Sequence, residues 1–593
     1  MRRAARRTRP DVQARAVLAP GVAAAVLTLA AACGSGEQPS PARPAAARPD
    51  TATLFFEDIT AASGVDFVHD AGATSFKHLP ETMGGGAALF DADEDGDLDL
   101  YLVQGGPLPL PGGAPDRFVH PAGVARPTNR LYLNDGRARF EDATARSGDA
   151  ALARYGMGVA VGDANADGHE DLYVTVLGDD ALLAGDGRAR FRDVTAASGL
   201  REPGWTTGAV FLDADDDGDL DLFVTSYVAV DLSDPPWCGE RREGWRSFCH
   251  PDRFPGGEDR FWRNRGDGTF EDATLAAGFS DPSGKGLCVL ASDLDGDGRL
   301  DLYVANDGTE NRLYHNLGGG RFADATLVSG TGVDRYGRSE ASMGVAAGDV
   351  DGDLDFDLFL TGFDDESDTL YSNLGGLVFD DRTVQAGLEL ATRLPVGFGC
   401  VLEDLDLDGA LDLVIANGHI IDNIALYHDG QTHAQRALLF QGDGSGRFSD
   451  VSRQPGAAPA REPLVGRALL AGDLDGDLRP DLVLTQCGGP PRIWRNLAAR
   501  RGLVVSGLPH GARVELVDAN GRSCAVREAL PAPSYLGSGP RDPRFGLPEG
   551  RRAQALRVRV GTRAWQTIAL DPPLAEGRIR LQRGADGRFE LAR

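Results

Sequence analysis

The sequence predicts an all-β fold: a seven-bladed β-propeller closed by its own N-terminal strand, followed by a small C-terminal β domain. Three observations lead there. An acidic nine-residue element, D-x-D-x-D-G-x-x-D in outline, starts at Asp91, Asp163, Asp213, Asp293, Asp349, Asp404 and Asp473. A second element, F-x-D-x-T-x-x-x-G, starts at Phe56, Phe140, Phe191, Phe270, Phe322, Phe379 and Phe448, with Ser452 replacing threonine in the last. Glycine supplies 78 of 593 residues, well above the usual share of about 7%, which implies many tight turns and many short strands. Acidic elements spaced 50 to 80 residues apart are one structural unit copied with loops of varying length.

Residues 1–33 read as a targeting segment and are set apart from the fold. Arg2, Arg3, Arg6 and Arg7 form a basic start, and an apolar run from Ala16 to Ala32 follows, shorter than a comfortable membrane span. Small residues then precede Cys33 and Gly34, as in a bacterial lipoprotein signal, although Ala30 stands where a larger apolar residue is usual. Cys33 is the expected lipidation site, which would leave an exported protein anchored to a membrane and facing the periplasm or cell exterior. Residues 34–52, rich in Pro, Ala and Ser, can only tether.

Residues 53–497 carry the repeats. The Phe element appears once before any acidic element, and the last acidic element is followed by no Phe element. The N-terminal segment therefore supplies the strand that the seventh blade lacks, which hides the sheet edges. A glycine-containing apolar run precedes each acidic loop. Five residues before its first Asp stands Gly86, Gly158, Gly208, Cys288, Gly344, Gly399 or Ala468, all small enough for a crowded axis. An alternating strand such as Asp301–Asn306 follows each loop, and then a hairpin around a glycine turn.

The acidic loops, numbered 1 to 7 in chain order, predict calcium. Oxygens at positions 1, 3, 5 and 9, with a carbonyl from position 7, converge if the chain turns sharply at position 6. Such a hard, carboxylate-rich set suits Ca2+ better than zinc or iron. Loop 1 offers Asp91, Asp93, Asp95, Asp97 and Asp99; loop 2 offers Asp163, Asn165, Asp167, His169 and Asp171. Loop 3 offers Asp213, Asp215, Asp217, Asp219 and Asp221; loop 4 offers Asp293, Asp295, Asp297, Arg299 and Asp301. Loop 5 offers Asp349, Asp351, Asp353, Asp355 and Asp357; loop 6 offers Asp404, Asp406, Asp408, Ala410 and Asp412; loop 7 offers Asp473, Asp475, Asp477, Arg479 and Asp481. Up to seven ions are expected, one per blade. An EF-hand needs a Glu at position 12, where these loops have only Leu, Val or Ile. Loops 5 and 7 carry Leu354 and Leu478 at the turning position, so both are expected to bind more weakly. A net charge of −29 fits cation uptake and argues against nucleic acid as a partner.

These loops resemble the FG-GAP/VCBS repeats of integrin-type propellers. Lys77–Gly86, the insertion from Cys238 to Cys249, Ala416–His419, and the segments Gly511–Val514, Ser534–Ser538 and Arg544–Leu547 resemble the cartilage acidic protein 1-like, or ASPIC/UnbV, family. That resemblance marks residues 498–593 as an ASPIC/UnbV-like β domain, though its Trp-containing opening is reduced to Arg501–Val505 and its terminal Trp-Pro-Ser-Gly is missing. It implies secretion, calcium, and contact with protein or glycan, but no agreed reaction.

In an exported chain Cys238 and Cys249 are close enough to form a disulfide, while Cys288 and Cys400 fall in strands as buried small residues. No serine-hydrolase elbow, HExxH or phosphate loop is present, so no catalytic residue is assigned. His419, Trp237 and His250 are candidate ligand contacts, and Lys77 and Glu81 are read as exposed. The favoured function is a binding or adhesion module for a protein or glycan. The alternative is a calcium-dependent enzyme working in the axial funnel.

Overall fold

Each pair of repeated elements builds one four-stranded antiparallel sheet. The computed structural model describes residues 54–109, 126–584 and 587–592; the signal segment, Cys33 and the whole tether lie outside the described residues. In sheet 1 the strands Ala87–Phe90, Asp99–Leu102, Arg130–Asn134 and Phe140–Asp142 follow in order. Loop 1 joins the first two, with Phe90 opposite Asp99. Six more such units carry loops 2 to 7, their innermost strands starting at Gly156, Pro203, Gly286, Val345, Gly397 and Gly466. Each innermost strand packs beside that of the next sheet, and the seventh packs beside the first, so the inner strands close a ring. The outermost strand of the last sheet is Phe56–Asp58, paired with Arg492–Asn496.

The strand after each loop is not a half-exposed alternating strand. Every residue of Asp301–Asn306 is buried, because each sheet packs against a neighbour on both faces. One such layer joins Ala88, Tyr101 and Leu131 of sheet 1 to Val159, Leu172 and Leu183 of sheet 2.

The final glycine of the Phe element sets the spacing between sheets. Gly148 has φ +67, and a Cβ there would stand 2.5 Å from the Phe191 carbonyl oxygen of the next sheet's Phe element. Gly278, at φ +104, would meet the Phe322 carbonyl oxygen at 2.4 Å. Asparagines closing the third strands latch the sheets together. The Asn264 Nδ2 donates to Leu220 O at 3.0 Å and to Ala164 O of loop 2 at 2.8 Å. Asn134, Asn316, Asn373 and Asn496 make the same double contact, each reaching the preceding sheet's loop.

The C-terminal residues form two four-stranded sheets around a separate core that includes Leu503, Val514, Leu556 and Ile579. One hairpin, Pro533–Ser534 with Gly537–Ser538, leaves this module and enters the ring, pairing in parallel with Ala87 and Ala88. Its tip, Tyr535 and Leu536, is 0% and 2% exposed. The Tyr535 hydroxyl donates to Met83 O at 2.9 Å, and its ring stands edge-on to Phe398. The small residues at the axis accommodate this hairpin as well as one another. A Cβ on Gly86 would meet Leu536 O at 2.6 Å, and one on Gly399 would meet Ser534 Oγ at 2.8 Å.

Candidate functional site

The acidic loops share one hydrogen-bond scheme. The position-1 carboxylate accepts backbone N–H groups from the turn: Asp91 accepts from Asp95 at 3.1 Å and Gly96 at 3.0 Å, and Asp163 accepts from Asp167 and Gly168. The position-9 carboxylate is an anchor. Asp99 accepts from Ala92 N and, across the sheet, from Asn134 N, both at 2.9 Å. Asp171, Asp221, Asp301, Asp357, Asp412 and Asp481 repeat both contacts.

This scheme leaves carboxylate oxygens facing one another. Asp91, Asp93 and Asp99 present oxygens within 4.8 Å of each other, as do Asp213, Asp215 and Asp217; Asp293, Asp295 and Asp297; and Asp349, Asp351 and Asp353. Burial, reinforced by the neighbouring carboxylates, raises Asp91 and Asp213 to about 6 and Asp353 to about 7. Asp93 Oδ1, Asp213 Oδ1, Asp351 Oδ1, Asp473 Oδ1 and Asp475 Oδ1 are buried with no donor. A buried acceptor without a donor is costly, and a cation would satisfy these oxygens. The donor set therefore fits a hard divalent ion held by positions 1 and 3 together with position 5 or, in loop 1, position 9. At position 7 three of the named side chains are engaged elsewhere: His169 pairs with Glu94, and Arg299 and Arg479 pair with their own loops' Asp297 and Asp477.

Every loop contains a second left-handed residue, at position 4, which the sequence reading did not foresee. Glu94, Ala166, Asp216 and Leu407 have φ +60, +56, +64 and +57, and Gly296, Gly352 and Gly476 occupy the same place in the other loops. Leu354 and Leu478 are left-handed as anticipated, at φ +76 and +70. Loops 5 and 7 hold glycine at position 4, however, whereas loops 1, 2, 3 and 6 hold a side chain there. Six loops each carry one strained residue, so strain does not single out loops 5 and 7 as the weak pair.

The C-terminal module lies on the face that carries the loops. Arg559 and Arg513 reach Asp293, Arg578 Nη2 is 2.9 Å from Asp473 Oδ2, and Arg541 pairs with Glu170. The axial funnel that the sequence left open for chemistry is filled by the Tyr535 hairpin. A cavity of about 130 Å3 remains between the inner strands and the module, lined in part by Glu403, Arg527, Glu528, Arg541, Asp542 and Arg544.

The Cys238–Cys249 insertion and His419 sit at the opposite end of the sheets, where second strands connect to third strands, and Lys77 and Glu81 lie in the segment leading into Ala87–Phe90. Cys238 and Cys249 form a disulfide. Trp237 is 40% exposed and lies under Arg246 and Arg241. His250 is exposed, and its side chain accepts from Asp252 N, starting the short turn Pro251–Arg253. His419 is fully buried; its Nδ1 accepts from Ile421 N at 2.9 Å, and its Nε2 lies 3.6 Å from Asp364. Glu81 is also buried rather than exposed: it accepts from Thr74 and His78, and burial raises it to about 7. Lys77 is partly exposed and pairs with Asp422. Cys288 and Cys400 are buried, as expected. No helix among the described residues is long and apolar enough to cross a membrane.

Comparison with known proteins agrees with the repeat reading. An FG-GAP-like repeat model matches residues 113–174, 252–304 and 293–360. Cartilage acidic protein 1 of Homo sapiens is 25% identical over 362 residues, covering 56% of this chain and 47% of that protein. The Xenopus tropicalis protein of the same name is 30% identical over 182 residues, 30% of this chain and 25% of that one. The chain thus spans about half the length of the human relative it matches. Among solved structures, YCF48 bound to D1 peptide aligns with a TM-score of 0.36 and 9% identity, over 70% of this chain and 93% of that one. An Agrocybe aegerita structure described as recognising non-reducing terminal N-acetylglucosamine aligns with a TM-score of 0.34 and 16% identity, over 62% and 79%. The chain is an all-β protein with FG-GAP-like repeats, similar to cartilage acidic protein 1.

Proposed function

We propose that this chain is an exported, calcium-stiffened seven-bladed β-propeller that binds a protein or glycan partner, and that lipid on Cys33 holds it at a membrane. The observation behind calcium is the set of buried carboxylate oxygens that converge in the loops and find no donor. Positions 1 and 3, with position 5 or 9, would hold the ion, and its charge would let acids that repel one another stay ionised side by side. Only the folded loop gathers these oxygens, so the ion adds stability by mass action, about 2.7 kcal/mol per site at a hundredfold excess over Kd.

The disulfide in the Cys238–Cys249 insertion supports an oxidising, extracytoplasmic location. The C-terminal module covers the loop face, which leaves the opposite face for a partner. There the exposed Trp237 and the arginines around it offer aromatic and charged contacts on loops carried by a rigid ring.

Thermal melting with and without chelator tests the central claim. A substantial fall in Tm on chelation is expected, and a Tm indifferent to chelator overturns it. For anchoring, Cys33→Ser should release the protein from membranes; an unchanged membrane fraction would mean that the cysteine carries no lipid.

A further inference from the structure

Loop 4, from Asp293 to Asp301, looks on sequence like one of the best ion sites, yet its carboxylates are already matched by cations of the chain itself. Asp293 Oδ2 pairs with Arg559, lies 3.6 Å from Arg513 Nη1, and its side chain is 3% exposed; Oδ1 accepts from Gly298 N at 3.0 Å. Asp297 pairs with Arg299 and accepts that residue's N–H at 2.8 Å. Asp295 and Asp301 flank the His315 Nδ1 at 3.5 and 3.1 Å. Four carboxylates thus face three guanidinium groups and an imidazole. Loops 1, 3, 5 and 7 each leave at least one buried acceptor without a donor; loops 2, 4 and 6 leave none, and of these three loop 4 is the one whose first Asp pairs with arginines of the C-terminal module.

The arginines are held from behind, as a built socket requires. Arg559 lies 4.9 Å from the centre of the Trp565 ring, and its Nη1 donates to Gly296 O at 2.8 Å. Arg513 lies 4.8 Å from the centre of the Phe356 ring, and it donates to Asp293 O at 3.3 Å and to Leu354 O at 2.5 Å. Glu528 of the same module accepts from Asp293 N at 3.0 Å and Ser292 Oγ at 2.7 Å. A planar guanidinium fork, always charged, is the side chain best suited to a buried carboxylate. Loop 7 makes the contrast. Arg578, Arg495 and Arg479 reach its acids, yet two of its buried oxygens stay without a donor, so it still has acceptors to offer an ion.

We propose that loop 4 holds no ion and is instead the socket for the C-terminal module, with Arg559 and Arg513 standing where a divalent cation would stand. The inference rests on the calcium reading of the other loops and limits the chain to six ions.

Native mass spectrometry of the full chain in calcium counts the ions. Asp213→Asn should lose one ion relative to wild type. Asp293→Asn should keep the wild-type count while raising hydrogen exchange over Arg513–Val517. Should Asp293→Asn fail to fold, Arg513→Gln combined with Arg559→Gln leaves the loop acids in place and should gain one ion. If Asp293→Asn loses an ion as Asp213→Asn does, or the double variant gains none, the socket is overturned while the calcium reading stands. A wild-type chain that binds no ion overturns the calcium reading, and the socket with it.

Discussion

At the scale of single residues, the left-handed backbone positions separate what a motif shows from what the chain needs. A left-handed side chain costs roughly 1–2 kcal/mol, and glycine in its place gives back about 0.5–1 kcal/mol in chain entropy. Ala166 is exposed and makes the cleaner test, because Leu354 also packs against a core cluster. Ala166→Gly should therefore stabilise the chain by up to about 1 kcal/mol in urea unfolding; a loss of stability would show that position 4 is not under strain. A second residue set concerns pH. Asp259 stands just before a third strand and accepts from Ser226 N at 2.9 Å, while Asn129 and Asn311 accept the equivalent N–H groups at 2.8 Å in sheets 1 and 4. Burial raises Asp259 from 3.8 to about 8. The folded state then keeps a proton that the unfolded chain releases, so its contribution is intact below about pH 4 and is lost as pH rises toward 8. Asp259→Asn should raise the urea midpoint at pH 8 and change it little at pH 4; an identical shift at both values would refute the assignment.

At the scale of elements, the ring depends on two segments far apart in sequence. Phe56–Asp58 closes the seventh sheet, so deleting residues 54–60 should expose the edge of Arg492–Asn496 and cause aggregation; a monomeric deletion variant of unchanged Tm would show that the edge tolerates exposure. The Tyr535 hairpin fills the axis, and truncating a large buried aromatic side chain costs about 3–5 kcal/mol. Tyr535→Ala should lower Tm and speed protease cleavage of the module, and a variant that melts and digests like wild type would mean that the hairpin is not a lock. Closure was legible in the sequence because two repeats fell out of step, and the loops were legible because acids recur at fixed spacing. The asparagine latches left a signal that was readable but missed: Asn134, Asn264, Asn316 and Asn373 each stand six residues before a Phe element. The hairpin left none, since its partners at Met83 and Phe398 are bound by long-range packing that no local pattern encodes. Burial of His419 and Glu81 was hidden for the same reason. Position 4 escaped notice because Glu94, Ala166, Asp216 and Leu407 share a backbone conformation and nothing else.

At the scale of the whole molecule, charge decides how the parts hold together. The loops place 27 carboxylates at positions 1, 3, 5 and 9 in a chain of net charge −29, and such a concentration of one sign works against a compact state. Arginines of the C-terminal module and of the loops themselves answer part of this charge at loops 4 and 7; on the calcium reading, ions would answer the rest in every loop but loop 4. If general repulsion is what calcium relieves, a monovalent salt should do part of the work, because the screening length falls from about 10 Å at 0.1 M to about 3 Å at 1 M. Screening cannot supply a ligand to Asp93 Oδ1, Asp213 Oδ1 or Asp351 Oδ1, which are buried and lack donors. The chelated chain should therefore gain Tm as sodium chloride rises toward 1 M but stay below the calcium-loaded chain, whose Tm should respond little to salt. Full recovery of Tm by sodium chloride alone would mean that repulsion, and not coordination by the loops, is all that calcium relieves.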